Sequence, residues 1–338
     1  MQQTENNENI TVSICCLAFN HEDFIAQTLD GFLLQRTNFD FEIIVHDDCS
    51  TDGTRQIIES YQKKYPNIVK PIFQLQNQYS LGLKPIFNHV FPKAVGKYIA
   101  LCEGDDYWTD PLKLQKQVDY LNVHEEAVQC FHPVQILMPD GLLREDFLTK
   151  VPDNYQRIEV IAAQGNFLHT PSVMFRNVIR QFPEMIHETP IGDYFLQMLL
   201  ATHGEFHQLP DVMAVYRYGV GVWSNEQQFI RSLRTAKTHA LLMTYFTQND
   251  NHPVAEIFAR RIAGFMERFP HEMEKKHIEY LITNSEIAVP VVQAMNRELK
   301  KRNDAVERLR TNQLQTSSIK KMVTELSRRM IHKLRGNK

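Results

Sequence analysis

Phe41-Glu42-Ile43-Ile44-Val45-His46-Asp47-Asp48-Cys49-Ser50-Thr51-Asp52-Gly53-Thr54 passes from an apolar, β-branched run straight into carboxylates and turn formers. The first five residues suit a buried strand. The rest offers N-cap and turn residues, and helical spacing continues over 55–65. Strand, acidic loop and helix make one unit of an α/β layer, and the same order recurs on either side. Upstream, ITVSICCLAF (10–19) reads as a buried parallel strand, and 22–34 places Phe24, Ile25, Leu29, Phe32 and Leu33 at helical spacing. Downstream come a strand at 69–74, a helix at 86–95, and a strand at 98–102 that runs into Glu103-Gly104-Asp105-Asp106. Pro111 then opens a helix to about His124, Pro being suited to a first turn. This alternation predicts an α/β fold with a mostly parallel central sheet. Ligands of such sheets bind outside the carboxyl ends of the strands. The two acidic clusters, 47–52 and 103–106, are therefore expected side by side on one rim.

Beyond about residue 126 the pattern loosens. Stretches 128–138, 172–176 and 212–218 read as strands and 193–202 as a short amphipathic helix, while 226–286 is helical throughout, with segments such as HALLMTYF. No internal repeat is present.

The 338 residues are 43% hydrophobic and 23% charged, enough for a sizeable core and against wholesale disorder. The formal net charge is −3, but residues 291–338 hold 13 Lys+Arg against 4 Asp+Glu, so the remainder is strongly acidic. Within that tail Ile319, Met322, Leu326, Met330 and Leu334 recur at helical spacing among Lys320, Lys321, Arg328, Arg329, Lys333 and Arg335. A basic amphipathic helix over 319–335 reads as an anchor for an anionic membrane surface. The alternatives are packing on the body or oligomerisation, for which the polar, coiled-coil-like stretch 303–315 is suited. The tail lacks interleaved aromatics, which argues against nucleic acid. Cys15, Cys16, Cys49, Cys102 and Cys130 are odd in number with no CxxC spacing, as expected of reduced thiols in a cytosolic protein rather than disulfides or zinc. His203 and His207 make no zinc pair, because Gly204 breaks the helix between them. The polar start MQQTENNENI is no signal peptide, and nowhere do about 18 apolar residues run together. The expectation is a cytoplasmic protein, peripheral on the inner face of the cell membrane if it works there.

Three carboxylates in four residues at a strand end repel one another. A divalent cation neutralises such a cluster, and hard oxygen ligands suit Mn²⁺ or Mg²⁺. The bland alternative is a solvated acidic turn that caps the following helix. In the first cluster, a carboxylate can accept from a uracil-like base edge or a ribose hydroxyl. There, Ser50 or Asp52 also suits a helix N-cap, which leaves Asp47-Asp48 unexplained.

These motifs carry a resemblance. Cys16-Leu17-Ala18-Phe19-Asn20-His21-Glu22 is similar to the opening strand of family 2 glycosyltransferases, and 46–54 resembles their DDxSxDGT loop. Asn77, Gly82 and Asn88 fall at the family's spaced positions. Glu103 to Asp106 resembles its DxD-type motif, with 107–114 as the usual continuation. The match runs over about 10–225. It implies the GT-A nucleotide-diphospho-sugar transferase fold and an inverting, metal-dependent transfer from a nucleotide-diphosphate donor, of UDP type, to a saccharide or lipid-linked saccharide in cell-surface polysaccharide synthesis. The rival reading is a non-catalytic sugar-nucleotide-binding or membrane-docked scaffold. A nucleotidyltransferase or a dinucleotide oxidoreductase would want a Gly-rich loop after the first strand, and Ala18 to Glu22 has none.

By the same resemblance Phe19 edges the nucleobase, with Asn20, Asp47 and Asp48 on base or ribose, and Lys84 and Arg217 on the diphosphate. Asp105 faces the ribose and, with Asp106 and Glu103, the metal. Glu103 is longer than the family's Asp there. Asp193, in Thr189-Pro190-Ile191-Gly192-Asp193, stands where the family places its base; the alternative is a helix cap. Thr170 lies on the acceptor-side segment and Trp223 on a loop over the donor. Tyr218 and Gly219 replace a His common among members, so no third protein ligand is implied from that loop. The implied organisation is a disordered N-terminal tail (1–9), a GT-A domain (10–225, with a nucleotide-sugar half 10–125 and an acceptor half 126–225), a C-terminal helical extension (226–290) and the basic amphipathic tail (291–338).

Overall fold

The computed structural model describes residues 10–221 and 226–272. The basic tail over 291–338, the segment 1–9 and Trp223 lie outside the described residues. The described chain forms two compact units, one of 10–187 with 192–221 and one of 188–191 with 226–272.

The first unit begins β1 (Ile10–Ala18), α1 (Ile25–Leu33), β2 (Asp40–Asp47), α2 (Thr54–Lys64) and β3 (Val69–Phe73). The helix expected at 86–95 forms over 86–93, as two irregular pieces rather than one α-helix. A π-helical turn (Ile86–Val90) gives way to a 3₁₀ turn (Phe91–Lys93), since Pro92 has no N–H for the helical ladder. β4 (Tyr98–Leu101), β5 (Tyr107–Trp108) and α3 (Lys113–Val123) follow. Pro111 lies just ahead of the α3 cap, Leu112, and so precedes the helix rather than opening it. The strand expected at 128–138 is two strands in two sheets. β6 (Ala127–Phe131) and β7 (Val134–Leu137) part at His132-Pro133, where proline cannot donate to a ladder. Then come β8 (Leu143–Glu145), α4 (Ile158–Gln164), β9 (Met174–Arg176), the single turn α5 (Met185–Glu188), α6 (Gly192–Leu200), β10 (Glu205–Gln208) and β11 (Ala214–Arg217).

Seven strands make the main sheet in the order β10-β6-β9-β4-β1-β2-β3, and all are parallel except β9. Sequence reading missed a second sheet, β5-β11-β7-β8, because its strands are two to four residues long and carry little period. The core follows from the apolar runs. Val12, Ile14, Ile43, Val45, Tyr98 and Ala100 are fully buried, beneath Leu29 and Phe32 of α1 and Leu114 and Leu121 of α3. Each such side chain contributes about 1.5–3 kcal/mol by leaving water. Gly31 lets α1 approach β5, since a Cβ there would stand 2.9 Å from the Trp108 carbonyl.

The second unit contains α7 (Gln228–Gln248) and α8 (His252–Glu272). They are joined through Asp250, whose φ of 56° turns the chain out of α7. Phe246 stacks on Phe258 with 6.1 Å between centroids, and Leu233, Leu242 and Ile262 are buried. Among the described residues no helix is long and apolar enough to cross a membrane. All five cysteines are free thiols, and only Cys49 is reached by solvent to any degree.

Candidate active site

Because β1, β2 and β4 are parallel neighbours, the loops that follow them meet on one rim. The first two loops are laced together. Asn20, at φ 55°, donates from its backbone N to Ser50 Oγ (2.9 Å) and accepts from Thr51 N at Oδ1 (2.8 Å). Glu22 Oε2 accepts from Gly53 N (2.6 Å), and Asp52 Oδ1 accepts from Thr54 N (3.0 Å). The start of α2 is therefore capped by Asp52 and Glu22. Its N-cap residue is Gly53 rather than Ser50 or Asp52.

The paired aspartates divide. Asp48 accepts from Gln78 N (2.7 Å) and Tyr79 N (3.0 Å), one on each oxygen, and so anchors the loop that follows β3. Asp47 accepts from Ser50 N at Oδ1 (3.3 Å), while Oδ2 is buried without a hydrogen-bond partner. Burial raises the Asp47 carboxyl above its usual range, against the lowering effect of Ser50. Phe19, just past the end of β1, is 42% exposed at the same rim.

The second cluster hangs from β1 and α1. Gly104 N donates to Leu17 O (2.8 Å), and the Thr28 hydroxyl lies 2.6 Å from Asp106 O and 3.0 Å from Gly104 O. Gly104 is required here, since a Cβ would meet His21 Nδ1 at 2.8 Å and Ala18 Cβ at 3.1 Å. Glu103, Asp105 and Asp106 bring one carboxylate oxygen each within 4.8 Å of one another. Asp105 and Asp106 are buried, yet Asp105 Oδ1 and Asp106 Oδ2 have no hydrogen-bond partner. The other Asp106 oxygen accepts from Arg217 N (2.8 Å). Burial first, and then the charge of Asp105, hold the Asp106 carboxyl well above its ordinary range. Solvent reaches Glu103, but the protein crowded around it raises its carboxyl too, followed by Asp105 and Asp193. Such unrelieved negative charge with two buried, unpartnered oxygens fits a hard divalent cation.

The Arg217 guanidinium, buried, lies 4.9 Å from the Phe24 ring centroid and 4.7 Å from that of Tyr107. It donates to Asp105 O and Gln27 Oε1. The structure thus places Arg217 behind the acid cluster, engaged with its backbone. Lys84 is half-buried, and its charge is felt at Asp193.

Segment 166–173 leads into the antiparallel β9 at the same rim. Asp193 sits in the first turn of α6, open to solvent, and accepts from Asn166 Nδ2 at 2.7 Å. Crowding by protein raises its carboxyl above the usual range, partly offset by backbone donors, Asn166 and Lys84. Thr170 begins a 3₁₀ turn (Thr170–Ser172) beside His169. His169 Nε2 is 2.9 Å from Asp146 Oδ2, and its ring lies 5.0 Å from that of Tyr216. Tyr216 faces the acids. Burial first, then Asp106, Glu103, Asp105 and Asp193, push its hydroxyl above the ordinary tyrosine range. Sequence reading missed His21, Thr28, Asn166, Asp146 and Tyr216. His21 and Tyr216 lay inside stretches already singled out and Asn166 lay close to one, but none of the five had been given a role.

The fold defines an α/β domain of GT-A architecture. Residues 13–188 match the profile of Glycosyl transferase family 2, and the chain belongs to that family. An uncharacterised protein of Mycobacterium tuberculosis is 39% identical over 237 residues, covering 69% of this chain and 66% of its own length. An uncharacterised glycosyltransferase of Nostoc sp. is 33% identical over 213 residues, covering 61% of this chain and 64% of its own. The matched part of the chain therefore spans about two thirds of these relatives. The crystal structure of S. aureus TarS 1–349 in complex with UDP superposes with a TM-score of 0.57 at 17% identity, covering 86% of this chain and 82% of that one. That likeness establishes the shared fold.

Proposed function

We propose that this chain is a metal-dependent inverting glycosyltransferase that moves a sugar from a nucleotide-diphosphate donor, of UDP type, to a hydroxyl of a saccharide or lipid-linked saccharide in cell-surface polysaccharide synthesis. The observation that carries the reading is the acid cluster. Two buried carboxylate oxygens without partners, on Asp105 and Asp106, stand at the carboxyl rim beside Glu103, whose carboxyl feels the charge of Asp193. Asp106 and Asp105, with Glu103, would hold Mn²⁺ or Mg²⁺. Such an ion supplies neutralisation of the three carboxylates and Lewis-acid stabilisation of a departing diphosphate.

The chain's own residues take the other roles. Phe19 offers an exposed ring to the base. Asp47, whose Oδ2 has acceptor capacity left, suits the N–H edge of uracil better than Asp48, which is committed to Gln78 and Tyr79. Asn20 positions the two loops. Arg217 positions Asp105 and Asp106, and Lys84, whose charge reaches Asp193, is assigned to the diphosphate. Asp193 takes the proton of the attacking hydroxyl as general base. Thr170 is assigned to the acceptor side and Trp223 to the loop over the donor.

The test is thermal unfolding with UDP-, GDP- and dTDP-sugars, each with and without Mn²⁺. A ligand that binds only the folded state raises its stability. The expected result is a metal-dependent rise with a UDP-sugar, lost in Asp106→Ala. If no nucleotide-sugar raises the midpoint with metal present, the donor assignment is wrong.

A further inference from the structure

Along β11, Ala214, Val215 and Arg217 are buried and Tyr216 alone is half-buried. Successive residues of a strand face opposite ways. Arg217 turns to Phe24 and Tyr107, behind the acids, so Tyr216 takes the other face. Register sets its neighbour. β11 runs antiparallel to β5 with Val215 opposite Tyr107, so one step further Tyr216 comes across from Asp106. Arg217 N, donating to Asp106 Oδ1 at 2.8 Å, holds the two chains at that approach. On its other side the Tyr216 ring lies 5.0 Å from that of His169, which Asp146 fastens at 2.9 Å. His169 belongs to segment 166–173, whose Asn166 donates to Asp193 at 2.7 Å. Tyr216 therefore spans the gap between the acid cluster and Asp193. Its hydroxyl makes no hydrogen bond among the described residues, and solvent reaches it.

We infer that Tyr216 lines the subsite of the transferred sugar and that its hydroxyl donates to a hydroxyl of that sugar, so selecting among donors that share one nucleotide. This rests on the donor reading proposed above and deepens it. In a displacement with inversion, the base and the leaving group flank the anomeric carbon from opposite faces. What lies between Asp193 and the acids that face the diphosphate is then the sugar itself, and Tyr216 stands on that stretch with a hydroxyl to spare. The chemistry is complementary. When ionised, Glu103, Asp105, Asp106 and Asp193 only accept hydrogen bonds, whereas a sugar hydroxyl also calls for a donor. Burial first, then those four carboxylates, keep the Tyr216 hydroxyl protonated, the form in which it donates. One fixed donor reads the configuration at one carbon, because an epimer turns its hydroxyl away and leaves the phenol unmatched.

The test is titration calorimetry of the full chain in Mn²⁺ with UDP alone, UDP-glucose, UDP-galactose and UDP-N-acetylglucosamine. Tyr216→Phe keeps the ring against His169 and removes a hydroxyl that bonds to no described residue, so the melting temperature without ligand should not change. Kd for UDP should also match the wild type. Kd for the UDP-sugar that the wild type binds best should rise about three- to tenfold, the worth of one neutral hydrogen bond, and the preference among the sugars should narrow by a similar factor. A variant that holds that UDP-sugar as tightly as the wild type does overturns the inference. So does an equal weakening of UDP and UDP-sugar, which would put the hydroxyl on the nucleotide. In both cases the donor reading stands. A wild type that binds none of these UDP-sugars overturns the donor reading instead, and the role of Tyr216 falls with it.

Discussion

Asn166 Nδ2 donates to Asp193 Oδ2 at 2.7 Å, tying segment 166–173 to the first turn of α6. A donor to a carboxylate favours its ionised form, and a general base must be ionised to accept a proton. Crowding by protein raises the Asp193 carboxyl and Asn166 works against that rise. The acid limb of the activity profile should therefore lie above the ordinary carboxylate range. In Asn166→Ala the pKa rises further, so activity should fall away at a higher pH than in the wild type. Asp193→Asn should lower kcat by about 10²–10⁴ with the donor-induced thermal shift intact. An acid limb that stays put in Asn166→Ala would show that Asp193 is not the titrating group.

Gly104→Ala tests the seat of the acid cluster. The new methyl would stand 2.8 Å from His21 Nδ1, 3.1 Å from Ala18 Cβ and 3.1 Å from Ile25 Cδ1, on β1, the loop after it and the start of α1. Overpacking of this kind costs about 1–3 kcal/mol. It also displaces Asp105 and Asp106, so the Mn²⁺-dependent part of the donor shift should shrink more than the loss of stability alone explains. Equal midpoints for variant and wild type would mean that the loop yields without cost.

These first two sites differ in how far the sequence announced them. The acidic clusters were legible because a strand that ends in carboxylates is a local pattern, and the parallel order of β1, β2 and β4 brings such ends together. Asn166, Asp146 and Tyr216 were not, because their partners are long-range: Asn166 is 27 residues from Asp193 and Asp146 is 23 from His169. Pairing across such distances is decided by topology, and the topology includes a second sheet of strands too short to show a period. Arg217 shows a subtler limit. The family resemblance pointed to it, but only packing reveals that Phe24, Tyr107 and Asp105 hold its guanidinium.

Asp146→Asn probes the brace beneath Tyr216. Burial raises the Asp146 carboxyl, but hydrogen bonds from His169 and Thr149 outweigh it and hold the group well below the usual carboxylate range. A depressed folded pKa gives stability that is present above the unfolded value of about 3.9 and is lost as the pH falls below it. At neutral pH the substitution should cost about 1–3 kcal/mol, the worth of hydrogen bonds to a charged group. That cost should vanish towards strongly acid pH, which denaturant titration at several pH values reads directly. Because His169 packs on Tyr216, KM for the acceptor should rise more than kcat falls; a purely structural role would leave both unchanged once the protein is folded.

Lys113 provides a pH test in the opposite direction. Its side chain is fully buried, its Nζ lies 4.0 Å from the Trp108 ring centroid, and it donates to Gln117 Oε1 at 2.6 Å. Burial pushes its ammonium down to about 7, against the opposing pull of the Cys102 and Cys130 thiols. The unfolded chain keeps this proton up to about 10.4. Below pH 7 both states are protonated, so the burial cost is present in full and does not change with pH. Between about 7 and 10 the unfolded state binds more protons, so stability must rise with pH, by up to about 1.4 kcal/mol per unit from this group. Lys113→Met keeps the length and apolar stem of the side chain and removes the proton. The difference in melting temperature, wild type minus variant, should therefore climb by up to about 3–6 °C per pH unit between pH 7 and 9.5, given roughly 2–4 °C per kcal/mol for a domain of this size. A difference that stays level across that range would mean that Lys113 is buried as the charged ammonium, held by Trp108 and Gln117 at every pH.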